Sequence, residues 1–272
     1  MIDSESARRD SSVYDVFAVR YGTRTTSKSE VYLNYHVYGE PDATVGMDYF
    51  FWIARSPESV IVIDTGFATD VGVRRGRTIL CEPSAALANL GLTPADVSQV
   101  VVTHAHYDHI GNLGLFPNAE IVIARREFEF WTGPYATRLQ FAAPVERSET
   151  ARLSDIWRQG RLSLVGERET IAAGVEAVVV GGHTPGQLVV LVSTDYGQAV
   201  LASDALHYYE EYERDRPFAI LADLEDMYRA YDMLGEIASD PGRLLVAGHD
   251  PDVLKRFQPI GDADDALAIR IA

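Results

Sequence analysis

Three histidines and an aspartate fall within the six residues His104 to His109, directly behind the apolar run Val100-Val101-Val102. The run reads as a buried β-strand and the polar cluster as the loop at its end. A fold that crowds imidazoles and a carboxylate there must give them a common partner, because polar groups left unpaired away from water cost free energy. Neutral imidazole and carboxylate are the donors that zinc and related divalent ions take. Side chains two apart in an extended segment point the same way, so His104 and His106 address one ion. Asp108 and His109 come where the chain turns toward Ile110-Gly111-Asn112 and face a second ion nearby. The segment therefore predicts a dinuclear metal site on a strand-end loop, where α/β proteins place chemistry.

Three further candidate ligands each follow an apolar strand: His183 after Val178-Val179-Val180, Asp204 after Val200-Leu201, and His249 after Leu244-Leu245-Val246. Thr184-Pro185-Gly186 behind His183 is a turn that fixes its direction. Val60 to Ile63 is another buried strand, ending in Asp64-Thr65-Gly66, which makes Asp64 a candidate to orient a ligand from behind. Strands are also expected at Val13–Arg20, Asp48–Ala54, Ala119–Ala124, Leu162–Val165 and Val175–Val180. Glu82–Leu92 and Leu224–Ala238 read as helices, with a short one near Thr93–Asp96. The last long helix presents Leu224, Met227, Tyr228, Tyr231, Leu234 and Ile237 as its apolar stripe. The order suggests strands and helices alternating twice over. Thr23–Met47 holds a tyrosine-rich connection and reads as a loop, and Arg126–Trp131 begins an aromatic helical or loop region without clear period that runs to about Asp155; Tyr32, Tyr35 and Tyr38 in the first of them pack as apolar bulk, and His36 is structural.

With 272 residues and 47% hydrophobic content, the chain is long enough for a large core. A formal charge of −16 disfavours a phosphate-backbone binder, so no nucleic-acid partner is expected. Cys81 is the only cysteine and reads as a structural thiol. Residues 1–12 are polar, lack the apolar centre of a secretory signal, and read as a flexible tail before one domain at 13–272. No stretch of about 18 apolar residues suggests a membrane span, and the default compartment is cytoplasmic.

Together the His-X-His-X-Asp-His segment at 104–109, the Asp64-Thr65-Gly66 turn, Gly182-His183-Thr184-Pro185-Gly186, Asp204 and Gly248-His249 resemble the metallo-β-lactamase superfamily over about residues 13–258. The resemblance implies an α/β fold of α+β type, an αββα four-layer sandwich of two mixed β-sheets flanked by helices, with the metals at one edge. It implies that His104, His106 and His183 bind the first ion, that Asp108, His109 and His249 bind the second, and that Asp204 bridges both. Two divalent ions, zinc in the first place, with manganese, cobalt or iron suiting similar donors, are the expected cofactors. A hydroxide held between them would attack a carbonyl, with Asp108 moving a proton.

Within the superfamily, Asp204-Ala205-Leu206-His207 through Arg216-Pro217-Phe218-Ala219 is most similar to the N-acyl-homoserine lactonases. That implies a lactonase acting in quorum quenching, with a small acyl or lactone substrate and a monomeric or homodimeric state. The group commonly carries a tyrosine three residues after the bridging aspartate, where this chain has His207. The histidine is the candidate for that place as a hydrogen-bond donor or general acid, with Tyr208 or Tyr209 as alternatives. Gln187 stands where the lactonase pattern often has histidine. A thioesterase resembling glyoxalase II would share the ligands but brings a C-terminal helical domain not evident after Pro259. A ribonuclease-like reading lacks a basic arm, and a flavodiiron protein would have glutamate at His106.

Overall fold

Both faces of the central strands are apolar, and that requires cover on each side. In the computed structural model, which describes residues 12–261 and 267–272, the cover on one face is a second sheet. Residues 1–11 of the expected tail lie outside the described residues. Strands β1 (Asp15–Ser27), β2 (Thr44–Arg55), β3 (Val60–Ile63), β4 (Thr78–Ile79), β5 (Gln99–Val102), β6 (Glu120–Ala124) and β7 (Leu162–Val165) begin the first sheet. Strands β8 (Arg168–Ala172), β9 (Val175–Val179), β10 (Leu188–Thr194), β11 (Gly197–Ser203) and β12 (Arg243–Ala247) form the second, in the order β12-β11-β10-β9-β8. The chain then returns to the first sheet with β13 (Gln258–Pro259) and β14 (Ala268–Arg270), giving the order β13-β14-β1-β2-β3-β5-β6-β7, with β4 on β1. Both sheets are mixed. Strands β3, β5, β6 and β7 run parallel while β1, β2 and β3 are antiparallel, and only β11 and β12 run parallel in the second sheet.

The layers follow from the two-residue period of the strands. On β2, Phe50, Trp52 and Ala54 join the core between the sheets, where they share a cluster with Leu188, Val190 and Leu201. Phe51 and Ile53 face the opposite way, into a second cluster with Leu87, Leu153 and Ile156 of the helices Pro83–Asn89 and Arg147–Arg158. The helix Leu224–Ala238 closes the outer face of the second sheet. The result is helix, sheet, sheet, helix, as the resemblance implies.

Several expectations change. Strands β8 to β11 follow one another without helices, so the alternation holds only through the first half. The stripe on Leu224–Ala238 is rotated: Met227, Ala230, Tyr231, Leu234 and Ile237 are buried, while Leu224 and Tyr228 are 41% and 37% exposed. Small Ala230 lets the helix approach the sheet, which hydrophobicity alone does not reveal. Residues 23–27 and 44–47 are no loop but the far end of the β1–β2 ribbon, paired out to Ser27 opposite Thr44, as its β-branched threonines favour. Of the two readings open for the region from Arg126 to about Asp155, the helical one holds, in the helices Arg125–Trp131, Leu139–Ala142 and Arg147–Arg158. Among the described residues no helix is long and apolar enough to cross a membrane.

Candidate metal centre

Five strand ends converge on one edge of the sandwich. Asp64 follows β3 and the His104–His106 loop follows β5, with Asp108 and His109 on the helical turn Tyr107–Ile110. His183 lies between β9 and β10, Asp204 directly after β11, and His249 just beyond β12. Backbone hydrogen bonds weld these ends together: Leu188 N donates to Thr103 O at 2.9 Å across the sheets, Thr65 N to His109 O at 2.7 Å, and His249 N to His207 O at 3.0 Å. Two backbones there are strained, Asp64 at φ +62° and Ser203 at φ +47°, which aims the side chains that follow the strands into the site.

The seven residues expected as ligands all come together. His104, His106, His183 and Asp204 place one donor atom each within 4.8 Å of one another, and so do Asp108, His109 and His249. Asp204 joins the two sets. Its Oδ2 lies 3.2 Å from His183 Nε2 and 3.7 Å from His104 Nε2, whereas its Oδ1 lies 3.2 Å from His109 Nε2 and 3.1 Å from His249 Nε2. All seven are buried.

The outward nitrogens are held from behind. His109 Nδ1 meets Asp64 Oδ2 at 2.7 Å, His183 Nδ1 meets Ile220 O at 2.8 Å, and His249 Nδ1 meets Asp48 O at 2.7 Å. Asp64 also accepts from Thr103 N at 2.8 Å, so it ties β3 to the ligand loop as the sequence suggested. Such contacts set ring orientation and leave Nε2 to face the site. Burial lowers His104 and His183 well below the ordinary imidazole range and His106 to about 4, keeping those rings neutral. Burial opposes charge on His109 as well, but Asp204, Asp64 and Asp108 outweigh it and hold that ring well above the ordinary range. Burial would raise Asp204, yet His207, His109 and His249 keep its carboxyl well below the usual carboxylate range.

His207 is fully buried beside the centre. Its Nε2 lies 3.0 Å from Asp204 Oδ2 and its Nδ1 3.4 Å from Glu211 Oε1, distances of ion pairs, although neither nitrogen has hydrogen-bond geometry. Burial disfavours the charged ring, but the flanking Asp204 and Glu211 raise it to about 9. Phe218 stacks on it at 3.6 Å between centroids and 10° between planes. Tyr208 and Tyr209 are committed elsewhere: their hydroxyls donate to Gly46 O and Leu245 O, each at 3.1 Å. Gln187 spends its amide on Leu188 O at 2.9 Å, away from the rings. His36 is exposed and Cys81 is half-buried with its thiol on Arg20 O, neither belonging to the site.

Sequence reasoning missed Glu211, Phe218 and Trp131 as neighbours of the centre. Glu211 accepts from Tyr208 N at 2.9 Å and Tyr231 Oη at 2.7 Å, so it links His207 to the long helix. Trp131 packs edge-on to His106 at 6.0 Å. With Phe141, Pro144, Ile220 and Leu221 it walls a largely apolar crevice that opens beside His106 and His183. Phe218 lay within the segment that carries the lactonase resemblance and Trp131 in an aromatic stretch without a period, whereas nothing in the sequence marked Glu211.

The family model described as Metallo-beta-lactamase superfamily matches residues 44–249. Among curated proteins, the chain is 29% identical over 233 residues to N-acyl homoserine lactonase AttM of Azorhizobium caulinodans, covering 76% of this chain and 84% of that one. It is 28% identical over 221 residues to Metallo-beta-lactamase domain-containing protein 1 of Xenopus laevis, covering 73% and 82%. A solved N-acyl homoserine lactone hydrolase with N-hexanoyl-L-homoserine at its catalytic metal centre superposes with a TM-score of 0.74 at 20% identity, covering 90% and 96%. AidC, a dizinc quorum-quenching lactonase, gives 0.67 at 20% identity, covering 89% and 92%. At such identity these two likenesses speak for the fold.

Proposed function

The chain belongs to the metallo-beta-lactamase superfamily, and on that premise we propose that it is a dinuclear metal-dependent hydrolase that opens N-acyl-homoserine lactones or closely related lactones. The observation that carries the reading is the carboxylate of Asp204, whose two oxygens face two separate imidazole sets. Buried Nε2 atoms of His104, His109 and His249 and Oδ1 of Asp204 have no hydrogen-bond partner. Orphaned buried groups cost roughly 1–3 kcal/mol each, and a cation in each set would satisfy all four. His104, His106 and His183 would hold one ion, Asp108, His109 and His249 the other, and Asp204 both. Five imidazoles and two carboxylates fit zinc, with manganese, cobalt or iron as alternatives. Bound there, such ions supply Lewis acidity that activates water near neutral pH and polarises a carbonyl.

The chain's own side chains supply the rest. Asp108 takes up the proton of the attacking water and returns it to the leaving alcohol oxygen. His207, with Nε2 on Asp204 Oδ2 and its ring fixed by Phe218 and Glu211, holds the shared carboxylate and occupies the place of the lactonases' tyrosine. Trp131, Phe141, Ile220 and Leu221 put apolar surface beside His106 and His183. Residues 13–272 act as one hydrolase domain in this reading, with β13 and β14 completing the sheet of β1.

The test is acid release by zinc-loaded protein on acyl-homoserine lactones of increasing chain length, beside plain γ- and δ-lactones and a thioester. Chain-dependent opening of the homoserine lactones is expected. Turnover of the thioester alone would move the substrate to another acyl class, and no hydrolysis of any of them would overturn the reading.

A further inference from the structure

A buried acid that no step above uses sits behind the first ligand set. Glu127 lies on the helix Arg125–Trp131, immediately after β6, and is 0% exposed. Its Oε1 accepts from Ala105 N at 2.9 Å and from Trp131 Nε1 at 2.7 Å, and its Oε2 accepts from Gly186 N at 2.9 Å. Ala105 is the residue between His104 and His106. Gly186 closes the turn that begins at His183. One carboxylate therefore grips the two loops that carry three imidazoles of one set, and reaches neither loop element of the other set.

We propose that Glu127 is a positioning residue that sets the spacing of His104 and His106 against His183, and so the affinity of the first ion. The proposal rests on the reading of those three histidines as one ion's ligands. The geometry is specific to that task. A Cβ on Gly186 would meet Glu127 N at 2.3 Å and its Cα at 2.7 Å, so only glycine lets the His183 turn come this near. Trp131 fixes the carboxylate by its indole N–H and lays its ring against His106, adding a side-chain brace to the backbone grip. All three donors are neutral N–H groups. A buried carboxylate without a cation is a poor device for stability alone, since an apolar side chain would fill the space with far less desolvation. As a rigid two-armed acceptor between loops it has a use that no apolar side chain replaces. Asp64 braces His109 Nδ1 of the other set directly and, through Thr103, also meets the start of the His104 loop, whereas Glu127 touches the first set alone.

The experiment is titration of metal-free protein with cobalt(II) against a chromophoric chelator, on wild type and Glu127→Gln. Glutamine keeps the shape, but its NH2 faces either the Gly186 N–H or the Ala105 and Trp131 N–H groups, so one loop is released. Wild type is expected to take two ions per chain. The variant should keep one at wild-type affinity and bind the other roughly 10- to 100-fold more weakly, the usual effect of losing a group behind a ligand. Two ions at wild-type affinity in the variant, or both weakened in step with a lower melting temperature, would overturn the proposal. Wild type that fails to take two ions would instead defeat the dinuclear reading. If Glu127→Gln does not fold, Glu127→Asp, which keeps the charge but reaches only one loop, is read the same way. Should neither fold, the carboxylate serves stability and the proposal falls.

Discussion

At the scale of single residues, the departure at position 207 turns out to be built in rather than accidental. His207 lies between Asp204 and Glu211 with Phe218 flat against its ring, so its orientation is set from three sides. Replacing it by phenylalanine preserves the stack and the volume but removes the nitrogen on the shared carboxylate. His207→Phe should therefore bind two ions per chain, as elemental analysis would show, while kcat on the best lactone falls by about 10- to 100-fold, the scale of losing a group that orients a ligand. Turnover within twofold of wild type would remove His207 from the chemistry. The mere presence of this histidine was plain from the sequence, but its burial and both carboxylate neighbours were not.

Elements show a similar division. The helix Leu224–Ala238 forms over the span that its period predicts, capped by Asp223, whose side chain accepts from Asp226 N at 2.9 Å. The face it buries differs, because the sheet beneath selects which residues meet it. Leu234 is 0% exposed in the core between helix and sheet, whereas Leu224 is 41% exposed. Leu234→Ala should lose about 2–5 kcal/mol in denaturant unfolding through the cavity it leaves. Leu224→Ala should stay within about 0.5 kcal/mol of wild type, as exposed positions do. Equal losses for the two would mean that the helix is rotated from the face described here.

For the molecule as a whole, the centre is a seam. Asp108 and three imidazoles come from the sheet of β5, while His183, Asp204 and His249 come from the sheet of β9 to β12. Ions bound across it, as proposed, would hold the two halves of the sandwich together, and binding to the folded state alone adds about 4 kcal/mol per site at 1,000 times Kd. A chelator should thus lower the melting temperature, and zinc should restore it. An unchanged melting temperature, with metal shown to leave, would place the ions outside this seam.

What the sequence determined by itself is chemical and local. The run Val100–Val102 and the donors at 104–109 lie side by side in the chain, and His183, Asp204 and His249 each follow an apolar strand, so strand ends and ligand types were both legible. Strand β8 was not, because it is mostly polar and shows no two-residue alternation. Tertiary structure alone shows how the two donor sets meet, since Asp204 faces His183 through one oxygen and His249 through the other. It also decided which residues hold those donors. Glu127 meets Gly186 from 59 positions away and His207 lies against Phe218, and contacts between distant segments leave no period or spacing in the chain to read.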